Sequence, residues 1–389
     1  RGGSPRTISV DGRRSLTYLL DQVQRVEPRV AFSVPAMPDR IAVSGVEFVE
    51  FAADQREAAE LGGLLRQLGF RRAGRHIAKE VELWRQGGIN VVVNTEPEGF
   101  AHSSYLMHGT AVCDLGLKVE DAAATVERAR ALGADLFEQP VGPGELKIPA
   151  IRGVGGGVMH FIDDRSELAR VWEIEFQPVE DEQEAEDLGL VSVDHIAQTM
   201  RYEEMLTWLL FYTAIFKTHK TPMVDVVDPA GLVRSQVIEN ETGSLRITLN
   251  GAENRKTLAG RFITESFGSA VQHIAFRSSD IFATASKLAG RGFRPLEISA
   301  NYYDDLAARF ALDDALLQRL RDANILYDRD EGGEYFQLYA PSYGEGFFFE
   351  IVERRGGYNG YGAANAQFRI AAQKRALEDS AVATPLRAL

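Results

Sequence analysis

Two histidines and one glutamate are the residues whose types and spacing could do chemistry. Glu350 lies in Gly346-Phe347-Phe348-Phe349-Glu350-Ile351-Val352-Glu353-Arg354, where its near neighbours are large and apolar, so the stretch reads as a strand through a core. An ionised carboxylate there needs a cation, either a metal ion or a buried salt bridge to Arg354 or Arg277. His195 lies in Val191-Ser192-Val193-Asp194-His195-Ile196-Ala197 and His273 in Ala270-Val271-Gln272-His273-Ile274-Ala275-Phe276, both strand-like. Two neutral imidazoles and one carboxylate converging on a point make the facial triad of non-heme Fe(II) oxygenases, which leaves coordination positions for substrate and oxygen. The intervals of 78 residues from His195 to His273 and 77 from His273 to Glu350 fit two histidines on equivalent strands and a glutamate on a closing strand. His76, His102, His108 and His219 stand in loop-like polar surroundings and read as structural or exposed.

The elements that must position these residues repeat. A strand at 45–51, a helix at 54–68 ended by Gly69, and strands at 75–80, 81–86 and 89–94 make one βαβββ unit. A second follows: strand 111–119, helix 121–132, strands near 144–149, 151–153 and 158–163. A third has strand 191–198, helix 202–215 and strands 223–228, 232–239 and 244–249. The fourth has strand 270–277, helix 280–290, an inserted helical stretch at 301–322 and closing strands 335–340 and 346–352. The expected fold is α+β, with four such modules paired into two curled-sheet half-barrel domains. The expected division is a connector and helix at 1–40, a metal-free domain at 41–180, and a metal-binding domain at 190–378 that ends in a lid helix. An acidic linker at 180–187 separates the halves. Aligning the halves by this repeat puts Phe48 at the position of His195, Asp114 at that of His273 and His160 near that of Glu350, so only the second half keeps the triad.

At 389 residues the chain can build more than one sizeable core, and no apolar run approaches the roughly 20 residues that span a bilayer. A net charge of −13 argues against nucleic acid and anionic membrane surfaces, which leaves a small molecule as the expected ligand. The single cysteine, Cys113, rules out an internal disulfide and a thiolate cluster; it is read as core packing and suits a reducing cytoplasm. The chain opens Arg1-Gly2-Gly3-Ser4-Pro5, with neither an apolar leader nor methionine, and is expected to be a cytoplasmic fragment or processed product of something longer. Exposed sheet edges make a homo-oligomer the expected assembly.

From 45 to 377 the chain resembles the 4-hydroxyphenylpyruvate dioxygenase family of the vicinal-oxygen-chelate superfamily. The carriers are Val193-Asp194-His195, Phe211-Tyr212-Thr213-Ala214-Ile215-Phe216, Val271-Gln272-His273-Ile274-Ala275 and Phe348-Phe349-Glu350-Ile351-Val352-Glu353-Arg354, joined in the first half by Gly45-Val46-Glu47-Phe48-Val49-Glu50-Phe51-Ala52 and by 105–113. The resemblance implies iron ligands at His195, His273 and Glu350, with Fe(II) replaceable by Mg, Mn, Co, Ni or Zn. It also implies substrate contacts at Ser235, Asn250, Gln337 and Phe348, Phe348 and Tyr339 packing on the ring. The implied reaction is oxidative decarboxylation and hydroxylation of an aromatic 2-oxo acid with O2, 4-hydroxyphenylpyruvate going to homogentisate. Two positions depart from the family's pattern. A glutamine expected before Phe262 is replaced by a small residue around Ala259-Gly260, and the gate usually written Gly-Phe-Gly-x-Gly-Asn-Phe reads Gly360-Tyr361-Gly362-Ala363-Ala364-Asn365-Ala366, one aromatic short. Ser9-Val10-Asp11-Gly12-Arg13-Arg14-Ser15-Leu16 resembles the junction of bacterial fusions that join a 3-dehydroshikimate dehydratase barrel to a dioxygenase-like domain. Two alternatives stay open: a dioxygenase-like metal domain with a structural or regulatory role in such a dehydratase, and a related dioxygenase, such as a mandelate-forming one, acting on another 2-oxo acid.

Overall fold

A computed structural model describes residues 37–180 and 186–383. The helix expected at 11–27 and residues 181–185 of the acidic linker lie outside the described residues. The first half carries strands β1 (Val43–Ala52), β2 (Arg71–His76), β3 (Val81–Gln86), β4 (Ile89–Asn94), β5 (Ala111–Val119), β6 (Leu136–Phe137), β7 (Ala150–Arg152), β8 (Val158–Ile162) and β9 (Phe176–Pro178). Its helices are α1 (Gln55–Gln67), α2 (Gly99–His108), α3 (Ala122–Ala131) and the single turn α4 (Val171–Ile174). The second half has β10 (Leu190–Arg201), β11 (His219–Lys220), β12 (Val224–Asp228), β13 (Gly231–Glu239), β14 (Arg246–Ala252), β15 (Ala270–Ser278), β16 (Leu326–Arg329), β17 (Gly333–Tyr339) and β18 (Phe348–Gly356). Its helices are α5 (Tyr202–Ile215), α6 (Leu258–Glu265), α7 (Ile281–Gly290), α8 (Ala300–Phe310), α9 (Asp314–Asp322) and α10 (Ala363–Ala383). Among the described residues no helix is long and apolar enough to cross a membrane.

The sheets run β6-β7-β8-β5-β1-β4-β3-β2-β9 and β11-β13-β14-β10-β15-β18-β17-β16, with β12 also paired to β13. In each module the first strand lies parallel to the last, β1 to β4, β5 to β8, β10 to β14 and β15 to β18. The leading strands of paired modules run antiparallel, β1 against β5 and β10 against β15. This is the α+β arrangement of four βαβββ modules in two curled sheets.

The period of two along each strand separates packing from chemistry. Phe276, Leu338, Phe349 and Ile351 point from β15, β17 and β18 into a core shared with Val49 and Phe51 of β1 and Leu61 and Leu65 of α1. The Phe51 and Phe347 rings meet edge-on there, 5.2 Å between centres. The alternating positions His273, Gln337 and Glu350 then face into the curl of the second sheet. Local signals set many of the boundaries: Asp54 caps α1 by accepting from the Glu57 N–H at 2.8 Å, and Asp280 caps α7 through Phe282 and Ala283, both at 3.0 Å.

Some elements differ from the sequence reading. The strand expected at 75–80 is Arg71–His76, because His76 Nδ1 accepts from the N–H groups of Ala78 and Lys79, both at 3.1 Å, and turns the chain. Residues 144–149 form no strand. The Leu146 N–H is taken by a side chain instead, donating to Glu175 Oε1 at 2.6 Å, and Glu145 N turns back to Gly142 O at 3.2 Å. Helices α2, α4 and α6 and strands β6, β9, β11 and β16 have no counterpart in the sequence reading. Glu98 caps α2 without a side-chain hydrogen bond and no acidic residue stands in its first turn, so the usual start signal is missing. His102 and His108 therefore lie on a helix rather than in a loop.

Candidate metal centre

His195, His273 and Glu350 come from three adjacent strands. His195 of β10 lies opposite Ala275 of β15, and Ala275 lies opposite Glu350 of β18, so two of the three share one rung of the sheet. His273 is two residues along β15, on the same face. Glu350 Oε2 is 3.4 Å from His195 Nε2 and 3.6 Å from His273 Nε2, and the three prospective ligand atoms all lie within 4.8 Å of one another. All three residues are buried, Glu350 being only 2% exposed. The two imidazoles stand edge to face, 5.4 Å between centres at 87°.

What surrounds the three residues orients them. Adjacent residues on a strand normally face opposite sides, but a register shift between Val193 and His195 lets Asp194 Oδ1 reach His195 Nδ1 at 2.9 Å. Arg354 grips that carboxylate with two nitrogens, Nε to Oδ2 at 2.9 Å and Nη2 to Oδ1 at 3.0 Å, and Arg246 Nη1 stands 3.7 Å from Oδ2. Gln337 donates from Nε2 to Glu350 Oε1 at 2.9 Å and to the Tyr339 hydroxyl at 2.6 Å, while its own oxygen accepts from Asn365 Nδ2 of α10 at 2.8 Å. Gly362 makes this close approach possible: its φ is +59°, and a Cβ there would lie 2.2 Å from Gln337 Oε1. Phe348 stacks on His273 at 4.7 Å and 21°.

The donor set fits a divalent ion. Asp194 occupies Nδ1 of His195, leaving Nε2 aimed inward, and Gln337 occupies Oε1 of Glu350, leaving Oε2 between the two imidazoles. His273 Nδ1 is buried with no hydrogen-bond partner among the described residues. Burial pulls the His195 imidazole down, but Asp194 and Glu350 outweigh it and lift the group to about 9. Burial, reinforced by the charge of His195, holds His273 well below the usual histidine range. A cation bound here therefore displaces the proton that His195 carries at neutral pH. Two nitrogens and an oxygen suit Fe(II), Mn(II), Co(II), Ni(II) or Zn(II), and the geometry does not choose among them.

The remaining residues named from sequence are dispersed. Ser235 and Asn250 lie opposite each other on β13 and β14, half-buried, and neither side chain has a hydrogen bond to another described residue. Asn250 pairs with Thr199, four residues along β10 from His195 and therefore about 13 Å away. Gln337, expected to meet substrate, has its amide engaged by Glu350, Tyr339 and Asn365. The salt bridge considered for Glu350 is absent among the described residues: Arg354 serves Asp194, and Arg277 is exposed. The small residue before Phe262 has a local cause, since a Cβ on Gly260 would lie 2.2 Å from Asn254 O. From sequence Arg354 stands only as a possible salt-bridge partner of Glu350, and Asp194 has no role beyond carrying the resemblance; its one signal is a carboxylate directly preceding a candidate ligand.

The first sheet carries the matching positions in altered form. Phe48 lies opposite Gly116, Gly116 opposite His160, and Asp114 opposite Glu50, the same register as His195, Ala275, Glu350, His273 and Ala197. The Phe48 ring fills this space so closely that a Cβ on Gly116 would lie 2.1 Å from it. His160 Nδ1 pairs with Asp114 Oδ2, and Asn94 Nδ2 donates to Glu50 Oε1 at 2.8 Å. Burial, then the Asp114 charge, raises Glu50 to about 7. A folded-state value above the free one stabilises fully below the free value and is lost as pH rises through about 7. Glu50→Gln is accordingly expected to match the wild type near pH 4.5 and to exceed it at pH 8. Because Glu50 keeps some access to water, the gain is about 1–2 kcal/mol rather than the roughly 3 kcal/mol of a full shift. Urea unfolding at the two pH values measures it, and equal midpoints at pH 8 would refute it.

A family profile described as hydroxyphenylpyruvate dioxygenase, HPPD, N-terminal, matches residues 38–177. A 3-dehydroshikimate dehydratase of Pseudomonas aeruginosa is 42% identical, over 97% of this chain and 60% of that protein. A 4-hydroxyphenylpyruvate dioxygenase of the same organism is 31% identical, over 84% of this chain and 92% of the other. A solved xylose isomerase-like TIM barrel/4-hydroxyphenylpyruvate dioxygenase fusion protein superposes with a TM-score of 0.77 at 40% identity, covering 94% of this chain and 58% of that one. The chain thus spans about 60% of the length of the dehydratase relative it matches.

Proposed function

Because the chain belongs to the 4-hydroxyphenylpyruvate dioxygenase family and has the vicinal-oxygen-chelate fold, we propose that it is an Fe(II)-dependent dioxygenase acting on a 2-oxo acid, with His195, His273 and Glu350 as the metal ligands. The observation that carries this reading is the single Glu350 oxygen facing both imidazole Nε2 atoms at 3.4 and 3.6 Å in a buried site. When bound, the metal supplies open coordination positions for the 2-oxo acid and O2 and the redox capacity for oxidative decarboxylation followed by hydroxylation. The finer form of the proposal is 4-hydroxyphenylpyruvate going to homogentisate.

The chain's own residues hold and dry the site. Asp194, gripped by Arg354, fixes the His195 tautomer, and Gln337 leaves one Glu350 oxygen for the metal. Phe348 and Tyr339, both nearly fully buried, wall off water and present ring faces to a substrate. The loop 360–362 and helix α10 close over this side. Arg354 Nη1 donates to Gly360 O at 2.8 Å, so the same guanidinium serves the ligand and the lid. Ser235 and Asn250, whose side chains bond to no other described residue, are proposed to meet the polar end of the substrate.

The test is anaerobic loading with Fe(II), addition of 4-hydroxyphenylpyruvate, and simultaneous recording of oxygen uptake and product. Homogentisate formed at the rate of oxygen consumption is the expected result. A loaded protein that consumes no oxygen would overturn the reaction assigned here.

A second reading is favoured by the 42% identity to a dehydratase and the 40% identity to a barrel fusion. In it the chain is the dioxygenase-like portion of a bifunctional 3-dehydroshikimate dehydratase, which makes protocatechuate from 3-dehydroshikimate, and its metal site serves structure or regulation. Metal that raises stability without supporting oxygen uptake would decide for this reading.

A further inference from the structure

The lid helix brings an unmatched cation to the site. Arg369 is the seventh residue of α10, half-buried, and its guanidinium carbon lies 5.2 Å from the Phe348 ring centre and 5.7 Å from that of Tyr339. Those rings border the candidate metal centre, since Phe348 stacks on His273 and the Tyr339 hydroxyl accepts from the Gln337 amide that holds Glu350. The other buried or half-buried cations near the second sheet have carboxylate partners: Arg354 with Asp194, Arg246 with Glu239, Lys374 with Asp228. Arg369 has none among the described residues. Its one side-chain hydrogen bond runs from Nη1 to Gln373 Oε1 at 2.6 Å, which leaves most of its five donors unused. One turn earlier stands Ala366, so this part of the lid offers a methyl group and a guanidinium in place of an aromatic ring.

A guanidinium against aromatic walls and partly shielded from bulk water is stabilised by an anion, which it holds in a two-pronged, charge-assisted grip. We propose that Arg369 receives a second carboxylate of the substrate, so that the site takes a 2-oxo acid bearing another anionic group at its far end. This rests on the metal-dependent reading for one end of the substrate: the 2-oxo acid group goes to the metal side, and the distal carboxylate goes to Arg369.

The test compares two probes that differ only at the far end, 4-hydroxyphenylpyruvate and 4-carboxyphenylpyruvate, titrated anaerobically into Co(II)-loaded wild type, Arg369→Leu and Arg369→Lys. The cobalt absorption spectrum and calorimetry follow binding. The wild type is expected to bind the diacid about 10- to 100-fold more tightly than the phenol. Arg369→Leu should abolish that preference and leave phenol binding within about twofold, and Arg369→Lys should restore part of it. Equal binding of the two acids by the wild type would overturn the inference while leaving the metal site intact. So would an equal loss for both acids in Arg369→Leu, which would place the guanidinium on the 2-oxo acid end. An Arg369-dependent preference for the diacid in protein that takes up no cobalt would sustain the anion site and overturn the metal reading. Absence of both cobalt uptake and preference would overturn both.

Discussion

His273→Ala is expected to give a folded protein that no longer retains a divalent metal. His195 and Glu350 remain, but two donors on the strands flanking β15 cannot close the coordination face that three donors within 4.8 Å provide. The loss in affinity should exceed the roughly 10- to 100-fold that follows from disturbing a residue behind a ligand, because here the ligand itself is gone. The fold should tolerate the change, since His273 Nδ1 has no hydrogen-bond partner among the described residues and the ring packs on the face of Phe348. Metal content after anaerobic loading and desalting measures the first part. Thermal unfolding measures the second: bound metal adds stability to the wild type in proportion to the logarithm of its concentration, and the variant's midpoint should not move with metal. A variant that keeps iron as the wild type does would remove His273 from the ligand set.

Asp194→Asn is expected to have the next largest effect, and through two separable routes. The Asp194 side chain is 0% exposed and carries both the His195 Nδ1 contact and the two-nitrogen grip of Arg354, whose side chain is 9% exposed. Asparagine keeps an oxygen for one of these but turns an amide nitrogen, which can only donate, toward the other donor. Leaving a buried guanidinium without its anion costs about 3–5 kcal/mol of stability. Loosening the tautomer and aim of His195 lowers metal affinity by about 10- to 100-fold. Urea unfolding of metal-free protein reads the first and metal titration the second. A purely structural role for Asp194 would lower stability and leave the metal-dependent increment unchanged, which would refute its place behind the ligand.

Much of the architecture was legible from local pattern. The alternating runs in β1, β10, β15 and β18, and helices such as α1 and α7 with aspartate caps, depend on neighbours in sequence, and their positions emerged within a few residues. Elements held by distant partners did not. The strand expected at 75–80 moved because the imidazole of His76 captures two backbone N–H groups. Residues 144–149 were misread because a carboxylate from Glu175, about 30 residues away, takes the Leu146 N–H. Helix α2 lacked the cap that would have announced it.

The same division runs through the site. The sequence by itself determined which three residues could form a metal centre, because a glutamate inside Phe-Phe-Phe-Glu-Ile-Val, two strand histidines at near-equal spacing and a module repeat are all properties of order along the chain. It also determined that the first half lacks the set, since Phe48 stands where His195 would. Only the tertiary structure decided what each group does beyond that. Arg354 is four residues from Glu350 yet serves Asp194, because successive positions on a twisted strand diverge and a bulge turns Asp194 inward. Gln337 is engaged by three neighbours from three different elements, and Arg369 reaches the rings beside His273 only because α10 folds back over the sheet. Spacing within one strand or helix is fixed by its own geometry; which charge meets which partner depends on elements up to 160 residues apart, and distance along the chain carries no record of that.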